Sequence, residues 1–147
     1  MRAMGLDVGS KTIGVAVSDP LGITAQAVTT LRRKNLAADL KALRELAAER
    51  EVAQLVVGLP LNMDGSEGDR AVESRKLGEA LAASSGLPVN YWDERLTTVA
   101  AERVLLEADV SRKKRRQVID QLAASLILQG WLDARRAGIG EHDPEVS

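Results

Sequence analysis

The sequence predicts an α/β domain built on a mixed five-stranded sheet flanked by helices, and three observations carry that expectation. The chain opens with a glycine-rich hairpin in which Val, Ile and Leu alternate with smaller residues. A nearly continuous apolar run at residues 52–58 has the pattern of a strand buried on both faces, as a central parallel strand is. Apolar residues at helical spacing occupy the segments around that run. At 147 residues the chain suits one domain, expected over residues 1–140, and the acidic, Pro144-containing residues 141–147 are expected to be a disordered tail.

The opening strands carry Leu6 and Val8, then Ile13, Val15 and Val17, with Gly9-Ser10-Lys11 as the turn. Strand alternation puts Asp7 on one face with Gly5 and Gly9, opposite Met4, Leu6 and Val8. Asp7 therefore stands on a face almost bare of side chains, and the glycines are expected to leave room for a phosphate backbone to approach. The structural alternative is an Asp that stabilises its own turn. Residues 22–30 read as a third strand that completes an antiparallel meander. Asn35 then looks like the cap of a helix with Leu36, Leu40, Leu43 and Ala47 inward and Asp39, Lys41, Arg44 and Glu45 outward.

The loop at residues 59–68 follows the C-terminal end of the central strand, where open α/β sheets bind ligands, so this loop and its Asn62 are candidates for substrate contact. Ser66 is expected to cap the next helix with Asp69 as its N3 acid, Leu77, Ala80 and Leu81 facing inward and Gly86 and Pro88 ending it. Residues 89–92 form a last strand that runs straight into Asp93-Glu94-Arg95, two carboxylates and a cation at a strand end. Those acids would equally complement the dipole of a following helix capped by Thr97 or Thr98 and carried by Ala101, Val104, Leu105 and Ala108. Residues 115–136 read as the longest helix, with Ile119, Leu122, Ala123, Leu126, Ile127 and Trp131 on its buried side. Asp120 heads that face, since the residues three, four, seven and eleven places on are Ala123, Ala124, Ile127 and Trp131.

Composition narrows the chemistry. With no Cys and the only histidine, His142, in the expected tail, Cys-His and Ser-His-Asp nucleophiles and His-ligated zinc are excluded. No apolar run approaches membrane-spanning length and no signal-peptide core is visible, so a cytoplasmic location without membrane contact is expected. Three aromatic residues, Tyr91, Trp92 and Trp131, argue against single-strand binding by stacked bases. The net charge of -1 lacks a basic bias, yet eight of the twenty basic residues fall in Arg32-Arg33-Lys34 and Arg112-Lys113-Lys114-Arg115-Arg116, which can form local positive patches. What remains are carboxylates from three separated segments: Asp7, Asp93 or Glu94, and Asp120. Brought together they would repel, and a hard divalent cation such as Mg²⁺ or Mn²⁺ resolves that repulsion. Such a centre can cleave phosphodiesters, which makes a nuclease chemically reasonable.

Four ordered motifs, LDVGSKTIGVAVSD, VVGLPLNMDGSEG, DERLTT and IDQLAASLIL, closely resemble the YqgF/RuvX family over nearly the whole chain. The resemblance implies an RNase H-like fold, kinship with RuvC-type Holliday junction resolvases, and a metal-dependent endonuclease that processes the 5′ end of pre-16S rRNA, with branched DNA as the alternative substrate. It also implies that Asp7, the acid of the Asp93-Glu94-Arg95 motif and Asp120 bind Mg²⁺ or Mn²⁺. Of Asp93 and Glu94, Glu94 is favoured as the ligand because it lies nearer the following helix and reaches further. Lys11, Asn62, Arg95, Arg112, Lys113, Lys114 and Arg115 are the expected nucleic-acid contacts of a monomer or homodimer. RuvC-type resolvases end their central strand in an acid and carry a pair of acids on the last helix. Here the strand ends in Gly58-Leu59-Pro60, and no second acid follows Asp120 before Asp133. Two other classes compete: an actin-like ATPase, whose phosphate hairpin is similar to the Asp-x-Gly-Ser turn, and a non-catalytic ribosome-assembly factor.

Overall fold

A computed structural model describes residues 1–96 and 112–138, with side chains throughout except at residues 112–121. Five strands, β1 (Arg2–Val8), β2 (Thr12–Ser18), β3 (Ala25–Arg32), β4 (Val52–Leu59) and β5 (Val89–Asp93), form one sheet in the order β3-β2-β1-β4-β5. The first three strands are an antiparallel meander, whereas β4 runs parallel to both β1 and β5. Helices α1 (Leu36–Glu49) and α2 (Asp69–Ser85) cover one face, and α3 (Arg112–Arg136) covers the other. The expected mixed five-stranded sheet flanked by helices is present. Expectations for residues 97–111 and for the tail at 141–147 lie outside the described residues. No described helix is long and apolar enough to cross a membrane.

Each face has its own core, and the two differ in side-chain size. Met4, Leu6, Val8, Ile13, Val15, Val17, Leu55 and Val57 meet Leu43, Leu77 and Leu81 of α1 and α2. The opposite face shows Ala3, Gly5, Ala16 and Val56 to Ala124, Ile127, Leu128 and Trp131 of α3. Small sheet residues let this helix settle close: a Cβ on Gly5 would stand 2.7 Å from Leu128 Cβ and 3.2 Å from the Ala124 carbonyl oxygen. The bare face of β1 is therefore filled by α3, and the expectation that its glycines admit a phosphate backbone is corrected at Gly5. Ala123, Ala124, Ile127 and Trp131, the row that continues from Asp120, are all buried.

Several local expectations are also corrected. The third strand starts at Ala25, because the Asp19 carboxylate accepts hydrogen bonds from the Ile23 and Thr24 amides at 2.7 and 2.8 Å and holds the preceding residues in a loop. Asn35 caps α1 as expected, accepting from the Ala38 amide at 2.9 Å. Asp39 faces inward, only 6% exposed, and Leu36 outward. The residue at the N-cap of α2 is Gly68, with no side-chain cap. Ser66 is engaged instead with Asp64, whose carboxylate accepts from its amide and hydroxyl, and with the Asn62 side-chain amide. Gly86, with φ of +76°, ends α2 as its sequence position implies.

A candidate metal and nucleic-acid site at the end of the sheet

Because β4 and β5 run parallel to β1, the C-terminal ends of all three strands meet at one edge of the sheet, and the β1–β2 turn joins them there. Asp7 is the penultimate residue of β1, 4% exposed, on the face toward α3. One register step past the Leu6–Val57 pair, its neighbour on β4 is Gly58. Gly58 in turn pairs with Trp92 of β5. Glu94 follows β5 in a short 3₁₀ turn and is 9% exposed.

The position of Gly58 explains how a strand without a terminal acid still contributes to an acid site. A Cβ on Gly58 would stand 3.1 Å from Glu94 Oε2 and 2.9 Å from Ile127 Cγ1, closer still to Ile127 Cδ1. The Glu94 carboxylate therefore lies over Gly58, on the strand beside Asp7 and on the same face. A carboxylate from the turn that follows β5 occupies the place that a side chain on β4 would have taken. Two buried carboxylates with hard oxygen donors on one face suit a Mg²⁺ or Mn²⁺ ion.

Asp93 has a different place. Alternation along β5 turns it away from the face shared by Trp92 and Gly58, toward the loop after β4. There the Arg95 guanidinium donates to both of its oxygens, at 3.1 Å from Nε and 2.7 Å from Nη2, and the Arg95 amide donates at 2.9 Å. These bonds hold the Asp93 carboxyl below its ordinary range and raise the Arg95 guanidinium above its own. Arg95 Nη1 also donates to the Met63 carbonyl at 3.1 Å, so the Asp93–Arg95 pair straps the loop to the end of β5. Asn62 closes that loop internally, its carbonyl accepting from the Gly65 amide and its amide donating to Ser66.

Asp120 lies on α3 one turn before Ala123 and Ala124, but its side chain is outside the described residues, as are those of Arg112, Lys113, Lys114 and Arg115 at the start of the same helix. Among the described residues no three metal-binding side chains converge. Lys11 is exposed in the β1–β2 turn.

A feature that sequence reasoning missed stands beside Asp7. The Arg33 guanidinium donates to Asp39 Oδ2 at 3.3 Å and to the Gly9 carbonyl at 3.1 Å, while the Arg33 amide donates to the Lys11 carbonyl at 2.8 Å. Asp39 Oδ1 accepts from the Lys34 amide at 2.9 Å. This clamp ties the turn two residues after Asp7 to β3 and α1. An acid in the first turn of a helix directly after a basic triplet was the available signal.

A family model described as "RuvX: Holliday junction resolvase" matches residues 1–134. The chain belongs to the RuvX family. Among its relatives, a protein of Myxococcus xanthus named "Putative pre-16S rRNA nuclease" is 64% identical over 145 residues, covering 99% of this chain and 96% of the relative. A protein of the same name from Moorella thermoacetica is 67% identical over 133 residues, covering 90% and 95%. Among solved structures, Thermus thermophilus RuvC in complex with a Holliday junction substrate superposes with a TM-score of 0.64 at 12% identity, covering 95% of this chain and 98% of that one. The fowlpox virus Holliday junction resolvase gives 0.52 at 13%, covering 91% and 99%. The RuvX chain thus has the RNase H-like fold of RuvC.

Proposed function

We propose that this RuvX-family chain is a divalent-metal-dependent endonuclease that cuts structured RNA, processing the 5′ end of pre-16S rRNA during ribosome biogenesis in the cytoplasm. The carrying observation is the Glu94 carboxylate lying over Gly58 beside Asp7. The names of relatives about 64% identical along nearly the whole chain supply the substrate. Asp7 and Glu94 hold Mg²⁺ or Mn²⁺, with Asp120 completing the set from α3. When bound, the ion supplies Lewis acidity toward a phosphodiester oxygen and lowers the pKa of a water. The chain's own residues do the rest. Burial of the two acids keeps competing water from them, and α3 packed on Gly5 and Gly58 fixes their mutual position. Lys11 and the basic start of α3 take the phosphate backbone, while Asp93, Arg95 and Asn62 hold the adjoining loop in shape.

A second reading, the same chemistry on branched DNA, is favoured by the superposition on RuvC. Incubating the protein with a pre-16S rRNA precursor and with a four-way DNA junction, with Mg²⁺, Mn²⁺ or chelator, separates the two. Metal-dependent cuts at one defined position in the RNA are expected, and Asp7→Asn should abolish them. Defined cuts in the junction alone would select the DNA reading, and cleavage by Asp7→Asn at the wild-type rate would remove Asp7 from the site.

A further inference from the structure

Charge is divided unevenly around the acid end of the sheet. The loop on the β4 side and the start of α2 carry Asp64, Glu67 and Asp69 with the exposed Arg70 beside them; of the other nearby cations, Arg95 is paired with Asp93 and Arg75 with Glu67. On the opposite side the β1–β2 turn and the end of β3 present Lys11, Arg32 and Lys34, all exposed. None of these three forms an ion pair with a described residue, whereas Arg33 between them is spent on Asp39 and the Gly9 carbonyl. The triplet is thus sorted, its middle residue acting as a strut and its outer two facing solvent.

We propose that Lys11, Arg32 and Lys34 form a phosphate-binding platform that the substrate strand crosses on its way to Asp7 and Glu94. The inference rests on the nuclease reading and gives that site a direction. Asp7 pairs with Gly14, and Gly14 with Thr30, so Arg32 lies two strands across and two residues further toward the same edge. Strand spacing and rise put it about 12 Å from Asp7, Cα to Cα. A separation of that size spans only a few nucleotides of one strand, so the platform meets the backbone a short way from the bond at the acids. The Arg33–Asp39 clamp holds the turn and the end of β3 as one body, so the backbone that carries the three cations loses little freedom on binding. On the far side the acids Asp64, Glu67, Asp69 and Asp93 offset the cations Arg70, Arg75 and Arg95, so the unpaired positive charge of the β3 side makes it the favoured approach.

The test is fluorescence anisotropy of a labelled pre-16S leader RNA in chelator, across a salt series, for wild type and Arg32→Ala/Lys34→Ala, beside a cleavage assay with Mg²⁺. Both substituted side chains are exposed, so the melting temperature should not change. Losing two phosphate contacts should flatten the slope of log affinity against log salt by about 1.4 to 1.8. A variant with the wild-type slope overturns the platform, and if wild type still cleaves the RNA, the nuclease reading stands without it. A flattened slope with a wild type that cleaves nothing keeps the platform and removes the nuclease reading. A wild type that binds no nucleic acid overturns both.

Discussion

Gly58→Ala tests the arrangement of the acid site through packing alone, without touching a carboxylate. The added methyl would stand 2.9 Å from Ile127 Cγ1, closer still to Cδ1, and 3.1 Å from Glu94 Oε2. Carbon atoms settle at about 3.5 to 4.0 Å, so Ile127 Cγ1 has to retreat by roughly 0.6 Å and Cδ1 by more. Ile127 is fully buried and has no solvent to swing into. Overpacking of this kind costs about 1 to 3 kcal/mol, and the less flexible unfolded chain returns about 0.4 to 1 kcal/mol. The midpoints of those ranges leave a net loss of about 1.3 kcal/mol, which lowers the melting temperature of a chain this long by roughly 3 to 5 °C. Thermal unfolding can be followed by tryptophan fluorescence, since both Trp92 and Trp131 belong to the core under α3. The carboxylate of Glu94 must also shift by a few tenths of an ångström, so the Mg²⁺ needed for half-maximal cleavage should rise about tenfold, as for loss of a group that orients a ligand. Ile127→Val removes the δ-methyl nearest the clash, so the double variant should be more stable than the two single losses added together. Strict additivity, or a Gly58→Ala protein with wild-type melting and metal demand, would refute the packing of Ile127 and Glu94 over Gly58.

Three further outcomes follow from the same geometry. Glu94→Gln should reduce metal-dependent cleavage far more than Asp93→Asn; equal losses measured side by side would dissolve the distinction between a site carboxylate and a strap. Arg95 depresses the Asp93 carboxyl, so that pair stabilises the fold above the ordinary carboxylate pKa and is lost as pH falls through the depressed value; an acid titration of unfolding should lose this component in Asp93→Asn, and an unchanged curve counts against the pair. Replacing Lys113, Lys114 and Arg115 at the start of α3 with Ala should weaken binding to RNA and branched DNA alike and flatten the salt slope by about 0.7 to 0.9 per lost contact, while an identical slope would reduce the block to surface charge.

Alternation and burial patterns made the sheet legible. Asp7 could be placed on a glycine face, and the apolar run of β4 could be placed inside the sheet, although β1 and not β4 is its middle strand, because both follow from one strand's own periodicity. What could not be read was what another segment brings to that face. Gly5 looked like space for a ligand, yet α3, more than a hundred residues later, fills it; Gly58 looked only like a strand end without an acid, and nothing in that strand says that Ile127 and Glu94 close over it. Asp39 looked solvent-facing on a helical wheel, since nothing in that pattern says that Arg33 and Lys34 fold back to meet it. Ser66 had the spacing of a capping box but found a nearer acceptor in Asp64. Asp93 and Glu94 were weighed by reach, although alternation from Trp92 already sends adjacent acids to opposite faces.

The closeness of α3 to the small-residue face of the sheet bears on the order in which the protein is made. Strands β1 and β2 emerge first, but Ala3, Gly5, Ala16 and Val56 have no cover until residues 123–132 arrive. A chain released before that helix would leave this side of its sheet bare. Contacts spanning so much sequence close late. A truncated chain of this kind would be sticky and would still lack the helix that packs over Gly5 and Gly58 beside Asp7 and Glu94.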